Sequence, residues 1–176
     1  MVRIFHTTWL FKTGLWLTAG AFCLSAPAVP APRLLPLFVI ERSQNANVVH
    51  YDAKLRADGT LDPQQPVVAY WVMAAENGRR QDLNLLERAR AYGFSTQALD
   101  MDAYMMTIVS EKKHQFVITH QGETARAETQ LGACHAYLQR IYVTTRKSLL
   151  LNLPESAEMY GADVATGRPC YEKVTP

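Results

Sequence analysis

The chain has 176 residues, 18 Lys and Arg against 16 Asp and Glu, a formal net charge of +2 and only three cysteines. Arg3 and Lys12 supply the whole excess, so the chain beyond its first thirty or so residues is electrically balanced. That balance gives no electrostatic reason to expect nucleic acid or an anionic membrane as partner, and like charges run no further than Arg79-Arg80 or Lys112-Lys113.

In chain order, residues 1–31 read as a cleavable export signal. Arg3 and Lys12 lie at the tip with no acidic residue, Gly14 to Leu24 is apolar, and small-residue exits follow at Ala26-Pro27-Ala28 and Ala28-Val29-Pro30-Ala31. The apolar stretch is shorter than the roughly 20 residues that cross a bilayer, and Ser25 and Pro27 interrupt it. Cys23 follows Phe22, where a lipoprotein signal requires a small residue. Cleavage after Ala28 or Ala31 sends residues 32–176, preceded in the first case by Val29 to Ala31, as one domain into the periplasm or the medium, with no transmembrane span left.

A proline-bounded lead-in (residues 32–37) precedes a short strand, Phe38 to Arg42, then a five-residue turn, Ser43 to Asn47, and a strand from Val48 to Leu55. Asn45 and Asn47 suit that turn, where Asn tolerates positive φ, and could also carry contacts. Val67 to Met73 is apolar in both phases and reads as a central strand with Tyr70 and Trp71 facing opposite sides. Asn84-Leu85-Leu86-Glu87 has capping-box spacing, Leu83, Leu86 and Ala89 or Arg90 form a stripe, and Gly93 offers a left-handed stop after Tyr92, so a helix of two to three turns follows the third strand. Further strands are expected at Ala103–Val109, Gln115–Thr119, Ala125–Thr129, Ala136–Thr145 and Leu149–Leu153, with Gly122 and Gly132 at turns. About eight strands and one short helix between strands 3 and 4 define an α+β domain, mainly antiparallel, either a curved sheet wrapped on the helix or an incomplete barrel. The short gaps suit hairpins and leave no room for crossovers.

Phe38 to Tyr51, Gly59 with Leu61, Pro66 to Trp71, Ala91-Tyr92-Gly93-Phe94, Arg140 to Val143, and Tyr160 to Asp163 with Thr166-Gly167 together resemble a family of exported bacterial proteins, domain of unknown function 4833, over residues 38–173. The resemblance implies the compartment and the extent of the domain; it implies no activity, cofactor or catalytic residue. Cys134 and Cys170 lie outside the residues that carry it.

Those two cysteines either form one bridge, worth roughly 3–4 kcal/mol if unstrained, or remain separate thiols. Histidines 50, 114, 120 and 135 show no close metal-ligand pair, so no metal is implied; His114 and His120 are in phase and could share a sheet face. No nucleophile elbow or phosphate loop occurs, Cys134-His135 point to opposite sides of a strand, and Asp100 with Asp102 reads as exposed, so no catalytic residue or cofactor is assigned. What stands out is arginine within apolar strands: Arg42 closes one, and Arg140 shares a face with Leu138 and Tyr142. A guanidinium there must be paired or wet. One reading places Arg42, Tyr51, Tyr70, Trp71 and Arg140 around a cleft for an anionic or amphiphilic ligand such as a lipid headgroup or a glycan fragment; the other pairs Arg140 with Glu41 as a structural feature. The protein is thus expected to be a non-enzymatic binding or accessory module of the cell envelope, with an envelope hydrolase or a protein-docking subunit as the alternatives.

Overall fold

The computed structural model describes residues 31–100, 102–147 and 152–175. The expected export signal therefore lies almost wholly outside the described residues, as does most of the start of the strand expected at Leu149–Leu153. Eleven strands occur in order: β1 (Arg33–Arg42), β2 (Asn45–Leu55), β3 (Val67–Met73), β4 (Arg79–Asp82), β5 (Phe94–Asp100), β6 (Ala103–Ile108), β7 (Glu111–Gln121), β8 (Thr124–Leu131), β9 (Cys134–Lys147), β10 (Asn152–Asp163) and β11 (Pro169–Val174). A 3₁₀ turn (Ala74–Glu76) precedes β4, and helix α1 (Leu85–Arg90) lies between β4 and β5.

All strands belong to one curled sheet in which β9 is the branch point. One edge of β9 is paired along its length by β10. The other edge is shared: Cys134–Tyr137 pair antiparallel with β8, and Arg140–Val143 pair parallel with β1. Two leaves diverge from there, β1-β2-β3-β4 and β8-β7-β6-β5. Their apolar surfaces meet: the Phe38 ring of β1 stacks on Tyr51 of β2 at 4.6 Å and on Phe116 of β7 at 5.7 Å, and Tyr51 packs on Phe94 of β5 at 5.9 Å. Val49, Tyr51, Ala53 and Leu55 of β2 with Met106, Ile108, Phe116 and Ile118 of the opposite leaf are sealed from solvent. The leaves are also tied by polar bonds, Tyr51 Oη donating to the Tyr92 carbonyl at 2.7 Å and the Leu61 N–H donating to Asp102 at 2.8 Å.

The expectation of a curved, mainly antiparallel sheet with one short capped helix is met in outline and corrected in four respects. The sheet has eleven strands rather than about eight, because Arg79–Asp82, with no apolar residue, the largely exposed Phe94–Asp100 and the closing segment Pro169–Val174 also pair as strands. The helix consequently follows the fourth strand. The β1–β9 pairing is parallel although the two strands are far apart in sequence, a non-local contact that short gaps between neighbours do not forbid. Finally, the sheet wraps on itself rather than on the helix, for α1 has no buried residue: Leu83 is buried, but Leu86 and Ala89 of its expected stripe are exposed. The capping box itself is formed, with Asn84 Oδ1 accepting from the Glu87 N–H and Glu87 Oε2 accepting from the Asn84 N–H, both at 2.9 Å.

Local corrections follow from the same geometry. The lead-in is part of β1, and the turn between β1 and β2 has two residues, Ser43 and Gln44. Asn77 is the one non-glycine residue with positive φ among the described residues, so neither Asn45 nor Asn47 uses the left-handed region. Gly93 is no left-handed stop either: a Cβ there would lie 1.8 Å from the Arg88 carbonyl, so glycine is required by close approach. Gly122 and Gly132 do occupy turns at positive φ. Cys134 of β9 and Cys170 of β11 are joined in a disulfide with a Cα separation of 6.1 Å across 36 positions.

Candidate functional site

Two β-bulges decide which side chains reach the interior. In β1 the register shifts between Pro36 and Phe38, which puts Phe38 and Ile40 inward and brings Arg42 to the same side. In β9 the buried positions run Ala136 and Leu138, then Ile141, with a register shift opposite Tyr160 and Gly161. Ile141 and Val143 therefore face inward, whereas Arg140 turns to the outer face with Tyr142. An alternation counted straight through the strand placed Arg140 with Leu138, and the bulge is why it is not.

The inward set encloses a cavity of about 350 Å³ between β1, β9 and β10 on one side and residues 90–92 and 108–111 on the other. Ile40, Ile108, Ile141, Val143, Met159 and Val174 supply its apolar wall. Arg42 is the unusual member. Its guanidinium lies over the Trp71 ring at 5.0 Å and the Tyr92 ring at 5.6 Å, and those rings meet edge to face at 5.2 Å. Arg42 Nε is buried with no hydrogen-bond partner, and no carboxylate pairs with the guanidinium among the described residues. Burial raises the Tyr92 phenol above its ordinary pKa, an effect that Arg42 only partly offsets, so the ring stays neutral and does not compensate the cation. Glu111 also lines the cavity, but its Oε1 accepts from the Lys113 N–H at 3.0 Å and lies 3.2 Å from His114 Nδ1. Cation–π contacts of this kind contribute about 0.5–2 kcal/mol and leave the buried Nε–H unsatisfied.

A family model for a domain of unknown function (DUF4833) matches residues 38–173. The chain belongs to that family. No curated protein and no solved structure matches it. The matched region of this DUF4833 domain includes β1 from Phe38 onward and therefore Trp71 and the whole cavity wall, Arg42 and Tyr92 among it, apart from Val174.

The five residues expected to share one cleft are divided by the DUF4833 fold. Arg42 lines the cavity and its guanidinium lies over Trp71, a buried core ring outside the cavity wall. Tyr51 is fully buried in the core. Tyr70 points to the outer face of β3, where its hydroxyl donates to buried Asp52 at 2.5 Å, Arg80 lies over its ring at 4.4 Å, and His50 stacks on it at 5.8 Å. Arg140 sits 3.5 Å from Glu41 and 4.3 Å from the Tyr160 ring, the structural pairing anticipated as its alternative. Asn45 Oδ1 accepts from the Asn47 N–H, and Asn47 Oδ1 accepts from the Ala74 N–H, each at 2.9 Å, so both serve the scaffold.

The histidines are engaged singly. His114 lies between Glu111 and Glu172, at 3.2 and 3.1 Å; His135 lies 3.4 Å from Glu128. His120 Nδ1 is 2.6 Å from Asp102 but not aligned for a hydrogen bond, which reconciles the close contact with its lack of a bonded partner. Asp102, read from sequence as an exposed carboxylate, thus fixes both the 61 loop and His120. Cys134, Cys170 and Asp163 bring three ligand-type atoms within 4.8 Å of one another, but the sulfurs are spent in the disulfide, leaving one carboxylate. Sequence reasoning missed Tyr92 as a site residue, having read it as the end of a helix; its membership of an aromatic pair with Trp71 depends on the fold closing.

Proposed function

We propose that this DUF4833 domain is an exported, non-enzymatic binding module of the cell envelope whose ligand is an anionic amphiphile. The apolar part of the ligand occupies the cavity, and its anionic group pairs with Arg42. One observation carries this reading: the half-buried guanidinium of Arg42, whose Nε is buried and unpartnered, borders a largely apolar cavity, and a buried N–H donor requires an acceptor or water. A ligand that is apolar at one end and anionic at the other satisfies both the wall and the arginine. The cavity, at about 350 Å³, lies in the range of small-molecule sites. Export is supported by the charge, apolar and small-residue order of residues 1–31 and by the disulfide, which persists in oxidising compartments.

Fluorescence titration with 11-(dansylamino)undecanoic acid and with its methyl ester tests the reading. The acid binds saturably at one site, the uncharged ester binds more weakly, and Arg42→Met lowers affinity for the acid about 10–100-fold while leaving the ester unchanged. Equal binding of acid and ester, or no saturable binding of either, overturns it.

A further inference from the structure

Helix α1 presents its leucines to water. Leu85 and Leu86 are 86% and 64% exposed, among the most exposed large apolar side chains of the described residues, and exposed Ala89 lies one turn on, so the three form an apolar helix face that nothing in the fold covers. The capping box holds this face in place by fixing the helix start. Its surroundings are basic. Between Arg79 and Arg90 four arginines stand against Asp82 and Glu87, a local excess of +2 that the rest of the chain beyond its first residues offsets. Arg79 is paired with Glu76, the Glu87 carboxylate is folded back onto the cap and Arg80 lies over the Tyr70 ring, so the cations on the helix itself are exposed Arg88, whose Nε donates to the Leu83 carbonyl, and exposed Arg90, with exposed Asp82 before the helix start. The chain then passes without interruption from this face into the wall of the cavity, through Arg90, Ala91 and Tyr92.

We infer that α1 is a membrane-docking element: Leu85 and Leu86 enter the headgroup boundary of a phospholipid bilayer, the flanking arginines meet its phosphates, and the cavity is thereby held beside the lipid surface. This rests on the cavity reading for its purpose but not for its test. Exposed leucines on a short helix that also carries Arg88 and Arg90 match the chemistry of an interface that is apolar below and anionic above. A protein partner would have to offer an apolar groove edged with acid, for which no observation here speaks.

Hydrogen exchange of the full chain, with and without vesicles of equal parts dioleoylphosphatidylglycerol and dioleoylphosphatidylcholine, reads the contact at the site itself. Amides of residues 84–92 become protected on vesicles, and the combined Leu85→Ser and Leu86→Ser variant lowers vesicle affinity about tenfold or more and removes that protection. The variant retains dansylundecanoate binding in vesicle-free buffer, since neither leucine lines the cavity, whereas Arg42→Met loses the latter and still docks. Unchanged exchange over 84–92 on bound vesicles, or equal vesicle affinity of wild type and leucine variant, overturns the inference and leaves the cavity reading untouched.

Discussion

Arg42 is the residue at which stability and function pull apart. A cation held over two aromatic rings gains cation–π energy but loses hydration, and with its Nε unpartnered the balance is unfavourable relative to an apolar side chain of similar length. Arg42→Met is therefore expected to be neutral or to stabilise the unliganded protein by about 1 kcal/mol in urea unfolding while weakening ligand binding; a loss of more than about 2 kcal/mol shows the arginine to be structural. The sequence already marked Arg42 as a polar residue ending an apolar strand. It could not show that the bulge after Pro36 turns Arg42 inward while the bulge in β9 turns Arg140 outward, because a bulge changes phase without a distinctive residue type.

His50 gives a pH signature of the same kind. Burial, with Arg80 acting in the same direction and Asp52 against it, lowers its pKa below the ordinary 6.5. The folded state then binds fewer protons than the unfolded chain, so the stability this residue contributes is complete above about 6.5 and declines as pH falls through the lowered folded value. His50→Gln should flatten the fall in urea midpoint between about pH 7.5 and 5.5, leaving the steeper acid limb from carboxylates such as Asp163, whose pKa is lowered chiefly by its hydrogen bond from Thr166. Identical pH profiles for variant and wild type contradict this assignment.

Among the elements, those built on strong local signals were legible. Val67–Met73 forms β3 as its apolar run requires, and the Asn84–Glu87 cap forms because both partners lie three residues apart. Elements whose stability comes from neighbours were not: β4 has four exposed residues and exists because β3 offers it an edge, and β11 is held by β10 and by the bridge to β9. The bridge is the firmest of these ties. Cys170→Ser is expected to cost about 3–4 kcal/mol and to expose the amides of β11 to exchange before the rest of the sheet. Cys134→Ser should match it, since each breaks the same bond, and a cost below about 1 kcal/mol in both would mean that β11 is anchored by its pairing alone. The exposed stripe of α1 is the reverse case, a helix legible in sequence whose apolar face was expected to find a core and did not.

At the scale of the molecule, the sequence pointed to a curved β-sheet and the folding adds its closure. The parallel pairing of Val39–Arg42 with Arg140–Val143 joins segments about a hundred positions apart, and it is this contact that makes two leaves of one sheet and encloses the cavity between them. No local pattern encodes such a pairing, which is why the candidate residues could be picked singly but not assembled. Among the described residues no helix is long and apolar enough to cross a membrane, so membrane contact in this account is made at the surface by α1. A cavity with an unpaired arginine, beside an exposed leucine face, is the combination from which the functional reading follows.

The most direct measurement is native mass spectrometry, with lipid extraction, of the protein recovered from the cells that make it. The account predicts one anionic amphiphile per wild-type chain and none on Arg42→Met at equal yield. A wild-type protein free of amphiphile that also fails to bind dansylundecanoate, or the same amphiphile retained in full by Arg42→Met, contradicts it.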